Sequence, residues 1–300
     1  DINVSTLQLG TRLMERQIDN LAGELLIDFI EEKNITVYMN DQVQVVEPAP
    51  QKGKLKAKLR SGKILQADAV VYGVGTRPNI EFAVESGLES ASGIIVNDYM
   101  QTSDPDIFAI GEIAEHRGRM MGITAAAEKQ ADVLANFIHG DLQSLYDGAV
   151  PMNILKLSGL DLCSLGIPDV PVDGEGYDEI LFIDKSLRYY KKCIIKDDRL
   201  VGAILIGDKS EFAEFKSLIE NKIELSERRM QLLRSGKKVE PVIGKLVCSC
   251  NQVGEGNLTR LIEEGCQTLT SLCQRSGAGL GCGSCKPEIQ QIIKESLVKA

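Results

Sequence analysis

Four cysteines in the last fifth of the chain restrict its fold more than any other feature: Cys248-Ser249-Cys250, then Cys282-Gly283-Ser284-Cys285. Thiolate sulfur is the ligand of zinc and of iron–sulfur clusters. Cysteines one or two residues apart can hold one metal between them. Thirty-one residues separate Cys250 from Cys282, so a shared site requires a fold that brings the two ends of this segment together. The second pair is approached through Gly277-Ala278-Gly279-Leu280-Gly281. Glycines let the backbone come close and turn its N–H groups toward an anion, and a [2Fe–2S] cluster with four thiolates is one. Structural zinc sites place two to four residues between paired cysteines. Cys-x-Cys is tight for that, and zinc stands as the rival ligand. Cys163, Cys193, Cys266 and Cys273 match no ligand pair and read as small buried hydrophobes.

Composition narrows the classes. Three hundred residues are enough for two or three domains, and 43% hydrophobic with 26% charged residues is ordinary for globular protein. A net charge of −9 argues against nucleic-acid binding. No apolar run approaches the ~18 residues of a membrane span, so no membrane association is expected. Eight cysteines in a chain of this length do not suggest a disulfide framework. Clustered ligand-type cysteines point to the cytoplasm. With two histidines only, histidine-based metal or acid–base chemistry has little material.

The first 72 residues read as strand, helix, strand, strand. Val4 to Leu9 is strand-like. A helix from Asn20 to Lys33 puts Leu21, Leu25, Leu26, Phe29 and Ile30 on one face. Ile35-Thr36-Val37-Tyr38 is β-branched, and Ala69-Val70-Val71-Tyr72 is expected to be a buried strand. Gly73-Val74-Gly75-Thr76-Arg77-Pro78-Asn79 follows. It fails as a dinucleotide fingerprint, because Pro78 stands where the last glycine belongs and no helix opens at once. Thr102 to Glu112 reads Thr-Ser-Asp-Pro-Asp-Ile-Phe-Ala-Ile-Gly-Glu, a short apolar strand delivering Gly111 and then a carboxylate, Glu112. Residues 122–138 form an alanine-rich helix with Thr124 as its expected cap. His116 precedes it and is expected to be a solvated loop histidine; His139 closes it.

Residues 149–235 are an α+β module with strand-like runs at 153–157, 161–165, 179–184, 189–195 and 200–206. Asp197-Asp198 makes a hairpin turn, a helix covers 211–221, and a charged helix follows from Ser226 to Leu233. Tyr189-Tyr190-Lys191-Lys192 reads as a strand with one solvated face. Arg234 to Glu240 is a polar linker. Residues 241–300 then carry helices at 255–264, 268–275 and 286–299.

Three resemblances attach to these residues. The cysteine spacing resembles the bacterioferritin-associated-ferredoxin-like [2Fe–2S] domain over about residues 245–298. Gly73 to Asn79 resembles the Gly-x-x-Pro-Asn junction of flavin-dependent pyridine nucleotide–disulfide reductases, where the chain passes from the nicotinamide to the flavin domain. Thr102 to Glu112 resembles their second flavin motif, with Glu112 where the family usually has Asp. The fold class implied is α/β, a partial FAD/NAD(P)-binding reductase fold over 1–148 (nicotinamide side 1–72, flavin side 73–148). The α+β module and a small, mostly helical [2Fe–2S] domain follow.

The order of parts, with Leu9 to Asp19, resembles the large subunit of assimilatory NAD(P)H nitrite reductases and the related electron-transfer subunit of nitrate reductases. The resemblance implies electrons passing from NAD(P)H through FAD to the cluster. They then go to a sirohaem and [4Fe–4S] centre on a downstream domain or subunit. Cys248, Cys250, Cys282 and Cys285 would bind the cluster. Gly75, Gly111, Glu112 and Thr124 would contact the flavin, whose N1 side the helix N-terminus would face. Gln8 falls where an acidic residue would bind the NAD ribose, and Arg12 could meet a 2′-phosphate. The two dinucleotide glycine loops of the family are not in these residues, so this portion alone is expected to bind FAD weakly or not at all and not to complete the reaction. A homodimer is compatible with this reading. Two other classes fit in part: a flavin amine or opine dehydrogenase subunit, and a non-enzymatic zinc-binding interaction module.

Overall fold

The computed structural model describes residues 2–226, 229, 232 and 241–299. The polar linker 234–240 and nearly all of the charged helix expected at 226–233 lie outside the described residues.

The chain opens with a β–α–β unit. Strand β1 (Val4–Gln8) pairs in parallel with β2 (Ile35–Met39), and helix α1 (Asn20–Glu32) connects them. Asp19 starts α1 by accepting the Ala22 N–H at 3.0 Å, the work of an N-cap carboxylate. Ala22, Leu25, Leu26 and Phe29 form its buried stripe. An antiparallel meander follows, β3 (Val43–Pro48), β4 (Leu55–Leu59) and β5 (Ile64–Ala67). Residues 69–72 form no strand. Val71, Tyr72 and Val74 are 91%, 65% and 89% exposed, in irregular chain. Their β-branched composition is right, but no strand lies beside them among the described residues, and a strand needs partners for its N–H and C=O groups.

After the short helix α2 (Glu81–Glu85) comes a three-stranded sheet of β6 (Ile94–Val96), β7 (Ala114–His116) and β8 (Arg119–Met120). The apolar run before Gly111 is not a strand; it makes one isolated bridge, Gln101 to Phe108. His116 is buried in β7, against expectation, with Nε2 2.7 Å from Asp98 and its ring edge-on to Tyr146. Helix α3 (Thr124–Ile138) completes this part.

The next part is a five-stranded antiparallel sheet of β9 (Met152–Leu157), β10 (Leu160–Gly166), β11 (Tyr177–Asp184), β12 (Tyr189–Lys196) and β13 (Arg199–Ile206). Its order is β11-β12-β13-β10-β9. Asp197 and Asp198 both take positive φ, as a two-residue turn matching the strand twist requires. Alternate side chains point to opposite faces. Cys163, Leu165, Cys193, Ile195, Ala203 and Leu205 pack under α4 (Phe212–Glu220) through Phe212 and Phe215. Leu160, Leu162, Tyr190, Ile204 and Ile206 pack on α1 instead.

Both faces are therefore covered, and Lys191 and Lys192 are 0% and 5% exposed, not solvated. Ion pairs make this tolerable. Lys191 Nζ meets both Glu211 oxygens at 2.7–2.8 Å. Lys192 Nζ meets Asp19 at 3.0 Å, Asp169 at 2.9 Å and Glu179 at 2.8 Å. Burial of a charge requires such partners.

The last part starts with a small hairpin, β14 (Leu246–Cys248) and β15 (Val253–Gly254). Helices α5 (Glu255–Glu263), α6 (Leu269–Ser276) and α7 (Lys286–Lys299) follow, close to their sequence-predicted bounds. Leu258, Leu261, Leu272, Ile289, Ile292 and Ile293 form a core of their own. No helix among the described residues is long and apolar enough to cross a membrane.

Asp19 caps α1 and also accepts Tyr190 Oη at 2.5 Å and Lys192 Nζ. Asp19→Ala removes the cap and leaves a buried ammonium short of one carboxylate. The variant should lose about 3 kcal/mol of stability in urea unfolding. A loss below about 1 kcal/mol would show that the network is not anchoring the helix.

Candidate metal centre and flavin face

The four cysteines converge from two turns. Cys248 ends β14 and Cys250 stands in the tight turn before β15. Thr268 caps α6, and Gly277 ends it in the left-handed region at φ 77°. The chain then runs through the glycine loop, past Cys282 and Cys285, into α7. Cys248, Cys250 and Cys285 are buried, and Cys282 is exposed.

The sulfurs pair across the two motifs rather than within them. Cys250 Sγ lies 3.2 Å from Cys282 Sγ. Cys248 and Cys285 are the other interacting pair. Two sulfurs on one tetrahedral metal with bonds of about 2.3 Å stand about 3.8 Å apart, so the Cys250–Cys282 pair needs to open only slightly. Among the described residues no three His, Cys, Asp or Glu side chains come together as a site for one ion. Two sulfur pairs offer two ligands to each of two bridged irons, whereas a single zinc would need all four sulfurs around one point.

Each pair is also poised electrostatically. The Cys285 thiol, helped by the N–H groups of Gly279, Asn251 and Cys250 and opposed by burial, holds Cys248 below the ordinary thiol range. The same contact with Cys248, with burial, pushes Cys285 up. Burial and the Cys282 thiol raise Cys250. Partial burial works to raise Cys282, but the Ser284 hydroxyl at 3.0 Å and the Ser284 N–H outweigh it, and Cys282 lies below its ordinary value. One thiol of each pair is thus biased toward the thiolate that a metal requires. The other four cysteines are buried and belong to cores. Burial pushes Cys193 up to about 12 and Cys163 higher still, as expected for unreactive thiols.

The flavin-side residues gather at the start of α3. Gly111 has φ 83° and donates its N–H to Gln130 Oε1 at 2.7 Å. Glu112 is exposed, and a Cβ placed on Gly122 would lie 3.5 Å from its Oε1. Thr124 is the first helical residue, not the cap. The cap position is Ile123, whose side chain caps nothing, because Thr124 is already in helical conformation. No side chain caps the first turn of this fifteen-residue helix. That arrangement fits an anion-bearing ring system.

Gly75 and the two nicotinamide-side residues are less gathered. Gly75 sits in exposed chain with φ 88°, and a Cβ there would meet nothing within 4 Å. Gln8 ends β1 opposite Met39. Arg12 turns back onto α1: Nη1 donates to Asn20 at 2.7 Å and Nη2 to the Glu15 carbonyl at 2.8 Å.

Gln130 was missed in the sequence. Its signal is a polar residue on the buried Ala126–Gln130–Val133 stripe of α3. The Ser284 hydroxyl was also missed as a partner of Cys282, while the Gly279 N–H lies in the glycine loop whose N–H groups were expected to turn toward the cluster.

Three family models match the chain. Residues 1–131 match the pyridine nucleotide-disulphide oxidoreductases, 151–223 the rubredoxin NAD+ reductase C-terminal domain, and 246–295 the BFD-like [2Fe-2S] binding domain. The chain therefore joins a pyridine nucleotide-disulphide oxidoreductase part, over residues 1–131, to a BFD-like [2Fe–2S] binding domain, over residues 246–295. Across nearly its whole length it is similar to NAD(P)H nitrite reductase of Bacillus subtilis, at 35% identity over 99% of the chain and 37% of that protein. It is also similar to the assimilatory nitrate reductase electron transfer subunit of the same organism, at 31% identity over 98% of the chain and 38% of that protein. The chain thus spans little more than a third of each relative's length. Among solved structures, the covalent putidaredoxin reductase–putidaredoxin complex matches with a TM-score of 0.64 and 25% identity, over 75% of this chain and 54% of that one.

Anaerobically purified protein should be brown and contain about two irons and two labile sulfides per chain. One zinc per chain with no labile sulfide would contradict the two-pair arrangement.

Proposed function

We propose that the chain is the electron-transfer part of an NAD(P)H-dependent flavin and iron–sulfur nitrite reductase. The observation that carries this reading is the placement of two facing thiol pairs in a domain that packs beside the N-terminal end of α3. Cys248, Cys250, Cys282 and Cys285 would hold the [2Fe–2S] cluster, with Gly279 supplying an N–H to its sulfur ligands. The free N-terminus of α3 at Thr124 would face the flavin, favouring the negative charge that reduced flavin carries near N1. Gly111 leaves room for the ribityl chain, and the Glu112 carboxylate accepts from its hydroxyls. Gly75 would allow the turn between nicotinamide and flavin sides, Gln8 would stand at the adenosine ribose of the nicotinamide dinucleotide, and Arg12 would meet its 2′-phosphate. When bound, FAD would supply two-electron chemistry toward NAD(P)H and the cluster held by the four cysteines would supply one-electron transfer.

The terminal acceptor would be a sirohaem and [4Fe–4S] centre outside these residues, with cytoplasmic nitrite as its substrate. Similarity to a nitrate reductase electron transfer subunit supports a second reading, in which the same relay feeds a nitrate-reducing partner.

In the full-length protein, Cys282→Ser with Cys285→Ser should abolish the cluster and leave hydride transfer intact. Reduction of a dye that takes electrons from flavin should stay within about twofold, while nitrite reduction falls to background. Persistence of both activities at unchanged rates would sink the relay. Loss of both with flavin still bound would assign the cluster domain to the nicotinamide site instead.

A further inference from the structure

The cysteine loop is gripped from outside its own domain at three places. Lys286, the residue after Cys285, places Nζ 2.6 Å from Glu128 Oε2 on α3. Leu280 accepts a hydrogen bond from Lys216 of α4 at 3.0 Å. Gly281 packs so closely on β9 that a Cβ there would fall 2.7 Å from Ile154 Cδ1. A fourth contact fixes the direction. A Cβ on Gly283, beside the exposed ligand Cys282, would lie 4.0 Å from Thr124 Cγ2. Glu128 and Thr124 are four residues apart, hence on one face of α3. The end of the cluster domain that carries Cys282 therefore lies over the N-terminus of α3.

We propose that Glu128 and Lys286 are positioning residues for electron transfer: their ion pair docks the cysteine loop on α3, so that the Cys282 side of the cluster faces the flavin. The proposal rests on the relay reading given under Proposed function. The Lys216 contact and the Gly281–Ile154 packing hold the loop against the α+β module from behind, and the ion pair closes the front. Both partners of that pair are partly exposed. Such a pair adds little to folding stability. Its effect lies in orientation, where a reversed charge places two like charges face to face. The core of the cluster domain does not include Glu128, so a change there leaves the four-cysteine site built.

The test uses full-length protein with flavin and cluster in place. Flavin bleaching and cluster reduction are followed separately after mixing with NAD(P)H. In Glu128→Lys, flavin bleaching should be unchanged and cluster reduction about tenfold slower, with iron and sulfide content equal to the unchanged protein. Combining Glu128→Lys with Lys286→Glu should restore cluster reduction to within about threefold. A readout independent of activity is carbodiimide coupling, which joins a carboxylate and an amine in contact. Peptide mapping should find Glu128 joined to Lys286 in the unchanged protein and not in either single variant. Equal cluster-reduction rates in unchanged and Glu128→Lys protein would overturn the docking alone. A slowed Glu128→Lys variant that the reversed pair fails to rescue, or absence of the coupled peptide, would overturn it too. Failure of the unchanged protein to reduce its cluster after its flavin would overturn the relay and this proposal with it.

Discussion

Asp19 accepts the Ala22 N–H, Tyr190 Oη and Lys192 Nζ at one buried point. That convergence ties the start of α1 to the middle of β12. It lets the five-stranded sheet bury one face on the dinucleotide-type part while α4 covers the other. A sheet covered on both faces leaves no solvated side for Lys191 and Lys192, so each must find carboxylates inside. Glu211 serves one, and Asp19, Asp169 and Glu179 serve the other. The sheet then acts as a hub. Its β9 edge supplies Ile154, which packs against the core under α4 and against the core of the cysteine domain.

The cysteine domain has a small core of its own, and its two cysteine loops meet through Cys250 and Cys282. Its core is a set of leucines and isoleucines from α5, α6 and α7, with sulfur of five cysteines among them. A capped α6 ending at a left-handed Gly277 aims the glycine loop back at the β14–β15 turn. The cross-pairing of Cys248 with Cys285, and of Cys250 with Cys282, follows from that return. Each metal of a bridged pair would then be held by both ends of the segment, so cluster and fold would stabilise each other.

What could be read in the sequence was local. Helices α5, α6 and α7 carry their periodicity, and α6 its Thr268 cap, in adjacent residues, and the Asp197-Asp198 turn carries its own preference for positive φ. The four ligand-type cysteines were legible from spacing. What could not be read was set by distant partners. Lys191 and Lys192 look solvated until Glu211 and Asp19 arrive from 20 and 173 residues away. Residues 69–72 look like a strand, yet strand identity depends on a neighbour that no local pattern encodes. His116 looked like a loop histidine because Asp98, 18 residues before it, was not a visible partner. Thr124 looked like a cap, but the chain turns helical one residue earlier and no side chain caps its first turn.

The account depends on the facing thiol pairs holding two irons that accept one electron together. The most direct measurement is quantitative electron spin resonance on full-length protein reduced with NAD(P)H and frozen. The account predicts about one unpaired spin per chain of iron–sulfur type, arising from one ferric and one ferrous iron. Protein that contains zinc at the cysteines and develops no iron–sulfur spin would contradict it.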